Sequence, residues 1–224
     1  MTGTEYLLST AYMPPAGYFA VMMQAERVFI ERHENYVKQS YRNRCIIMAT
    51  NGIHSLTVPV LRGSFHKVPL GETGIDYSRR WVSVHQRAIV SAYRNSPFFS
   101  FYADDLFGIL DSCIPLLLDL NMKILNYFTM LLEIPAEILF TDSYVSQGNS
   151  PHDLRYSISP KGCENKGYDF VFPPYSQVFS DRHGFIPDLS IIDLLFNLGP
   201  ETRNYLVEMT GREKNIPPGK GRIW

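Results

Sequence analysis

The sequence predicts an α/β protein: a small mixed sheet from the N-terminal half, covered by helices mostly from the C-terminal half. Three observations carry this. Two short β-rich runs flank a proline-initiated apolar segment within the first 31 residues. An Asn51-Gly52 pair separates two further β-rich runs. From residue 79 onward, apolar residues recur at helical rather than alternating spacing.

Residues 5–11 read as a first strand. Pro14-Pro15 breaks it and starts a helix over 16–25, because proline fits a first helical turn but removes a ladder donor from a strand. Residues 28–31 form a second short strand, which makes an N-terminal βαβ unit with parallel strands. Asn51-Gly52 then predicts a β-hairpin with a two-residue type I′ turn between 42–50 and 53–60. In that register Cys45, Ile47 and Ala49 share the core face with Val58, Leu56 and His54. If the extended backbone reaches back to Lys38, then Lys38, Arg42 and Arg44 form one cationic edge. Residues 62–77 are a loop punctuated by Gly and Pro, with a short strand near Ile75.

Helices are expected over 79–95, 97–110, 115–133, 189–198 and 200–209, with Gly199-Pro200 stopping one and starting the next. Residues 143–169 are polar and irregular and read as a mobile loop. One domain is expected over 1–210, with 211–224 a loosely held tail whose Trp224 docks on the body.

A chain of 224 residues that is 45% hydrophobic and 19% charged can bury a core and is not disordered as a whole. Its formal net charge of −1 gives no global reason to bind nucleic acid. Cys45, Cys113 and Cys163 are odd in number and lack ligand spacing, which predicts a reducing compartment, no disulfide framework and no metal site. Residues 114–134 are interrupted by Asp119, Asn121, Lys123, Asn126 and Glu133, the composition of a buried helix rather than a membrane insertion. With no basic stretch or long apolar run at the start, the expected address is cytoplasmic. Nucleotide-loop, dinucleotide, nucleophile-elbow and HExxH motifs are all missing, so the cofactor is unknown.

The densest set of functional groups lies at 175–201, where Arg182, His183, Asp188, Asp193 and Asn197 sit within a leucine- and isoleucine-rich run. Buried without partners, such groups cost about 1–3 kcal/mol each. His183, with Arg182, is in a turn before a helix, a position suited to anions or chemistry and equally to an exposed polar turn. Asp193 either completes a capping box with Ser190 or, with Ser190 and Asn197, forms a polar strip facing a cleft. His85 is central on the apolar face of its helix, and is either a hydrogen-bonded core histidine or an acid–base group. Asn121 points into a leucine face and either ties down a loop or meets a ligand. Lys38, Arg42 and Arg44 could clamp a phosphate or carboxylate, or be neutralised by Glu31 and Glu34. His33 and Glu34 follow a strand end, where α/β proteins place chemistry.

Several segments together resemble the WbqC-like family: YMPPAGYFA at 12–20, YRNR through LTVPV at 41–60, WVSVHQRAIVSAYRNSPFFSFY at 81–102, and LSIIDLLFNLG at 189–199. The chain departs from that pattern where relatives carry His-Gln-Pro and this one reads Tyr12-Met13-Pro14. It departs again where they carry paired aspartates and this one reads Glu31-Arg32-His33-Glu34. The resemblance implies a transferase, passing glycine, another aminoacyl or an acyl group to an amino sugar in bacterial surface-polysaccharide (O-antigen) or envelope biosynthesis. In that picture Lys38, Arg42 and Arg44 hold a small-molecule or nucleotide-sugar substrate, with Arg182 and Asn197 as further contacts. His85 or His183 takes the proton, oriented by Glu34 or Asp193. A shared role requires the two imidazoles to lie within roughly 12 Å of each other in one cleft. The alternative is a non-catalytic partner that binds a biosynthetic enzyme, or a homo-oligomer, through the aromatic cluster at 97–102.

Overall fold

A computed structural model describes residues 4–61, 68–150, 152–160 and 170–211. β1 (Glu5–Ser9) and β2 (Arg27–Glu31) pair in parallel across α1 (Ala16–Gln24), with Leu7 opposite Phe29 and Ser9 opposite Glu31. The α1 sequence AGYFAVMMQ carries no charge, and its residues from Ala16 to Met23 are all buried. A helix apolar on every side must be covered on every side. The sheet covers one flank of α1, and α6 (Ile191–Leu198) and α7 (Thr202–Met209) cover another. The Asp188 carboxylate accepts the Gly17 N–H at 2.8 Å and so satisfies a donor of the first turn.

β3 (Arg44–Ala49) and β4 (Gly52–Thr57) form the hairpin as a second, antiparallel sheet. Its register differs from expectation. Ala49 faces Gly52 and Cys45 faces Leu56, so the loop is Thr50-Asn51 and the pairing slides by two residues. A type I′ turn needs positive φ at both central residues, whereas here the left-handed conformation falls on Gly52 alone, at φ 104°. A two-residue slide preserves the faces. Cys45, Ile47, Leu56 and Val58 are therefore buried as expected, while His54 is exposed.

α2 (Trp81–Tyr93), α3 (Phe99–Asp111) and α4 (Leu117–Leu131) occupy the expected helical stretches, and a single turn, α5 (Ser180–His183), precedes α6. β5 (Glu137–Phe140) is a strand the sequence reading lacked. It joins β2 in parallel, Phe29 facing Leu139, to give the order β1-β2-β5. Residues 152–154, within the stretch expected to be mobile, extend this sheet at its other side. The Leu7 N–H donates to the His152 carbonyl, and the Leu154 N–H to the Leu7 carbonyl. The rest of that stretch over 161–169, and the expected tail beyond 211, lie outside the described residues.

Leu8, Val28 and Ile30 alternate into the core shared with α1, while Leu7 and Phe29 occupy the opposite face of the sheet. Gly199, which ends α6, is fixed by two constraints: φ is 55°, and an added Cβ would lie 2.4 Å from the Phe98 ring. Gly199→Ala should therefore lower stability by about 2–4 kcal/mol, combining left-handed strain with overpacking. Urea denaturation midpoints measure this, and an unchanged midpoint would contradict the packing described.

Candidate functional site

Four parallel segments end side by side, and each delivers polar groups to one carboxyl edge. Ser9 and Thr10 follow β1, Glu31 and His33 follow β2, Thr141 follows β5, and Arg155 follows the 152–154 segment. Glu31 is fully buried and accepts four hydrogen bonds. The Thr141 hydroxyl (2.9 Å) and the His33 N–H (2.8 Å) meet one oxygen; the Val145 N–H (2.9 Å) and Arg155 Nη1 (3.3 Å) meet the other. Arg155 also forks onto Asp153 through Nε at 2.9 Å and Nη2 at 2.6 Å. Arg42 forks onto the buried Glu34 carboxylate in the same way, at 2.8 and 2.6 Å, and donates to the Ser9 hydroxyl at 2.5 Å. Ser9 in turn donates to the Arg155 carbonyl at 3.3 Å, which joins the two halves. The Tyr156 ring lies against both guanidinium groups, 5.6 Å from Arg42 and 5.7 Å from Arg155. Desolvating charges costs several kcal/mol each, and bidentate pairing with stacked rings is what offsets it.

Between the two arginines lies a cavity of about 10 Å³, with room for one water. Ser9, Thr10, Tyr18 and Tyr41 help to line it. The Thr10 hydroxyl is buried there and has no hydrogen-bond partner among the described residues. Burial, and then the Glu34 charge, push the Tyr18 phenol up, so Tyr18 stays protonated and donates to the Ser9 carbonyl at 3.0 Å.

His33 is the exposed member of the edge. Its Nε2 lies 3.0 Å from the Thr141 carbonyl, which can only accept, so Nε2 carries the proton and Nδ1 keeps a lone pair. With its backbone N–H on Glu31 and its ring on Thr141, the imidazole is held at two points. A base at the mouth of a strand-end site is what this geometry offers.

The other sequence candidates are placed apart. His85 is buried between Tyr12 and Trp81, with the Tyr12 hydroxyl 2.9 Å from Nδ1. Desolvation pushes its pKa down to about 4, against a hydrogen bond to the Thr57 backbone. His183 is exposed and bonds the Thr50 carbonyl at 3.0 Å, beside Gly52. The two imidazoles are thus anchored at opposite ends of β4, at backbone points that strand rise places roughly 17 Å apart. Arg182 is exposed beside His183 on α5.

Asp193 is fully buried and accepts from Tyr175 (2.5 Å), Tyr93 (2.8 Å), Gln177 (3.2 Å) and Asn197 (3.4 Å). Burial raises its pKa, and these hydrogen bonds oppose the rise. Asn197 also donates to the Asp193 carbonyl. No capping box forms: the Ser190 N–H donates to the Ile46 carbonyl at 2.8 Å and the Asp193 N–H to the Ser190 carbonyl at 2.8 Å, while the Ser190 hydroxyl donates to the Met13 carbonyl at 2.8 Å.

The cationic edge is corrected as well. The strand begins at Arg44, Arg42 sits on a 3-10 turn bound to Glu34, Lys38 is exposed in a turn, and Arg44 is half-buried. Glu34 therefore neutralises Arg42. Asn121 donates to the Arg42 carbonyl at 2.7 Å and ties that turn to α4. Sequence reasoning missed Ser9, Thr10, Asp153, Arg155 and Tyr156. The available signal was that Glu31 and Glu34, next to a buried strand, each required a cation.

Fold and edge together define an α/β protein with a polar strand-end site. The family model described as the WbqC-like protein family matches residues 10–168 and 159–205, and the chain belongs to that family. It is 28% identical over 223 residues to the uncharacterised protein Rv1507c of Mycobacterium tuberculosis (strain ATCC 25618 / H37Rv), covering 89% of this chain and 96% of that one. No solved structure matches the chain. Among the described residues, no helix is long and apolar enough to cross a membrane, and no group of three or more His, Cys, Asp or Glu is placed to hold a metal ion.

Proposed function

We propose that this protein is a transferase whose chemistry takes place at the carboxyl edge of the parallel sheet. The reaction is transfer of an aminoacyl or other acyl group to the amine of a sugar, carried as a nucleotide sugar or similar small molecule. The setting is cytoplasmic, in bacterial surface-polysaccharide or envelope biosynthesis. The carrying observation is His33, whose proton is fixed on Nε2 by Thr141 and whose Nδ1 is left as an acceptor in solvent. As the amine nitrogen attacks the acyl carbon, its proton passes to Nδ1, and His33 then returns a proton to the departing group. In this reading His85 and Asp193 are structural.

The test is mass-spectrometric detection of acylated sugar from nucleotide amino sugars and aminoacyl or acyl donors. His33→Ala should slow product formation about 10²–10⁴-fold. Its melting temperature should barely move, because the side chain is exposed, and His183→Asn should keep full turnover. Full activity in His33→Ala would remove the assignment. A second reading, a binding partner of another biosynthetic enzyme or of a second copy, is favoured by Phe101, which is 71% exposed and lies tilted against Phe98. A concentration-dependent mass with no turnover would select it.

A further inference from the structure

α2 and α3 run antiparallel: residues 94–98 join Tyr93 to Phe99, and further along Gln86 donates to the Asp111 carboxylate at 3.0 Å. A groove of about 660 Å³ lies between them, and Arg87, Val90, Arg94, Phe107 and Asp111 help to line it. On α2 the exposed residues Arg87 and Arg94 are seven positions apart, and on α3 so are the exposed Asp104 and Asp111. Seven residues are about two turns, or about 10.5 Å, so each helix presents two like charges in line at the same interval. The α2 pair is cationic and the α3 pair acidic.

These charges find no ionic partner among the described residues. Arg94 and Asp104 make no side-chain hydrogen bond there, Arg87 donates to the Ser83 carbonyl of its own helix, and Asp111 accepts from Gln86. Between Asp104 and Asp111 sits Gly108, exposed, where an added Cβ would meet nothing within 4 Å. A glycine inside a helix is destabilising relative to alanine, and nothing packed against this one requires it. A second backbone approaching closely would. Phe101, 71% exposed, shares that face of α3, three residues before Asp104 and seven before Gly108.

We infer that a second copy of this chain docks on the α2–α3 face, as an isologous dimer whose two-fold axis runs along the helices. That axis lays α2 of each protomer over α3 of the other and keeps every residue at its own level along the helices. Counting from the Gln86–Asp111 contact, to within a residue, Arg87 is level with Asp111 and Arg94 with Asp104. The partner's Arg87 then meets Asp111, and the partner's Arg94 meets Asp104. Gly108, between the two pairs, lets the opposing α2 come close, and Phe101 is covered at the 94–98 turn of the other protomer. An unrelated protein would have to carry both intervals by chance, whereas a copy of the chain carries both. The inference deepens the second-copy reading by naming the face, and rests on it; it requires nothing of the transferase chemistry.

Sedimentation velocity on the full chain, over a concentration series, tests it. The wild type should pass from monomer to dimer as concentration rises, and less readily at high salt. Arg94→Glu and Asp104→Arg should each raise the dimer dissociation constant about tenfold or more, since both symmetry-related contacts then bring like charges together. The two substitutions in one chain restore opposite charges and should bring the dimer back. Gly108→Gln should weaken the dimer while the melting temperature of the dilute monomer stays level or rises, the reverse of what loss of a structural glycine would do. A dimer that none of these variants changes, or one that the charge swap fails to restore, would overturn this face and leave the second-copy reading standing. A wild type that stays monomeric throughout would overturn both. So would a monomer that binds a synthetic helix with glutamate at every seventh position, which would give the face to a different acidic partner.

Discussion

Arg155→Met should destabilise the fold by about 3–5 kcal/mol, the cost of breaking a buried ion pair from one side. The arginine is almost wholly buried, forks onto Asp153 and reaches Glu31. Methionine fills part of the volume but leaves Glu31 fully buried with no cation in contact. The control lies on the same sheet. Arg27 bridges Glu5 at 3.1 Å and Glu137 at 3.2 Å, with all three side chains about half exposed. Arg27→Met should therefore leave stability nearly unchanged. Urea denaturation of both variants reads the contrast. Adding Glu31→Gln to Arg155→Met should recover part of the loss, since the stranded charge is then gone. Equal destabilisation by the two arginine substitutions would show that burial does not set the strength of these pairs.

The second large effect is a pH dependence centred on His85. Its folded pKa, about 4, lies below the ordinary value of 6.5, so the unfolded chain takes up the proton first as acid is added. Stability is therefore complete above pH 6.5 and is lost as the pH falls towards 4, by about 3 kcal/mol from this group alone. His85→Phe, packed between Tyr12 and Trp81, should lack that component. Denaturation midpoints measured between pH 7 and pH 4 would then diverge between the two proteins as acid is added. Parallel curves would mean that the ring is not held neutral by burial. The same measurement separates a core histidine from a catalytic one, because an imidazole that protonates only near pH 4 makes a poor base at neutrality.

The parts of this fold that repeat a pattern were legible. The βαβ unit, the existence of the hairpin and the main helices all announce themselves through proline, glycine and apolar spacing. β5 did not, because EILF is too short for an alternation to show and follows a helix closely. The hairpin register slipped because Asn-Gly favours a type I′ turn, while the chain places the left-handed residue at Gly52 alone. The site divided along the same line. His33, Glu34 and Arg42 stand out in the sequence because they follow a strand or precede the hairpin. Asp153 and Arg155 sit in a polar stretch with no periodicity, and only the tertiary pairing of 152–154 with β1 makes them part of the sheet. Ser190-Ile-Ile-Asp193 shows the converse: a good local motif overridden by tertiary partners, because the Ser190 N–H is taken by the Ile46 carbonyl and the Asp193 carboxylate by Tyr93 and Tyr175.

The partners of Glu31 arrive late in synthesis. Thr141 is 110 residues further along the chain and Arg155 is 124. A nascent chain that has already displayed both early strands must keep this carboxylate hydrated, and its inner strand unflanked, until more than half the polypeptide has left the ribosome. The first supersecondary unit to emerge is thus among the last to be completed, and fragments truncated before Arg155 should expose an open strand edge to chaperones or to one another.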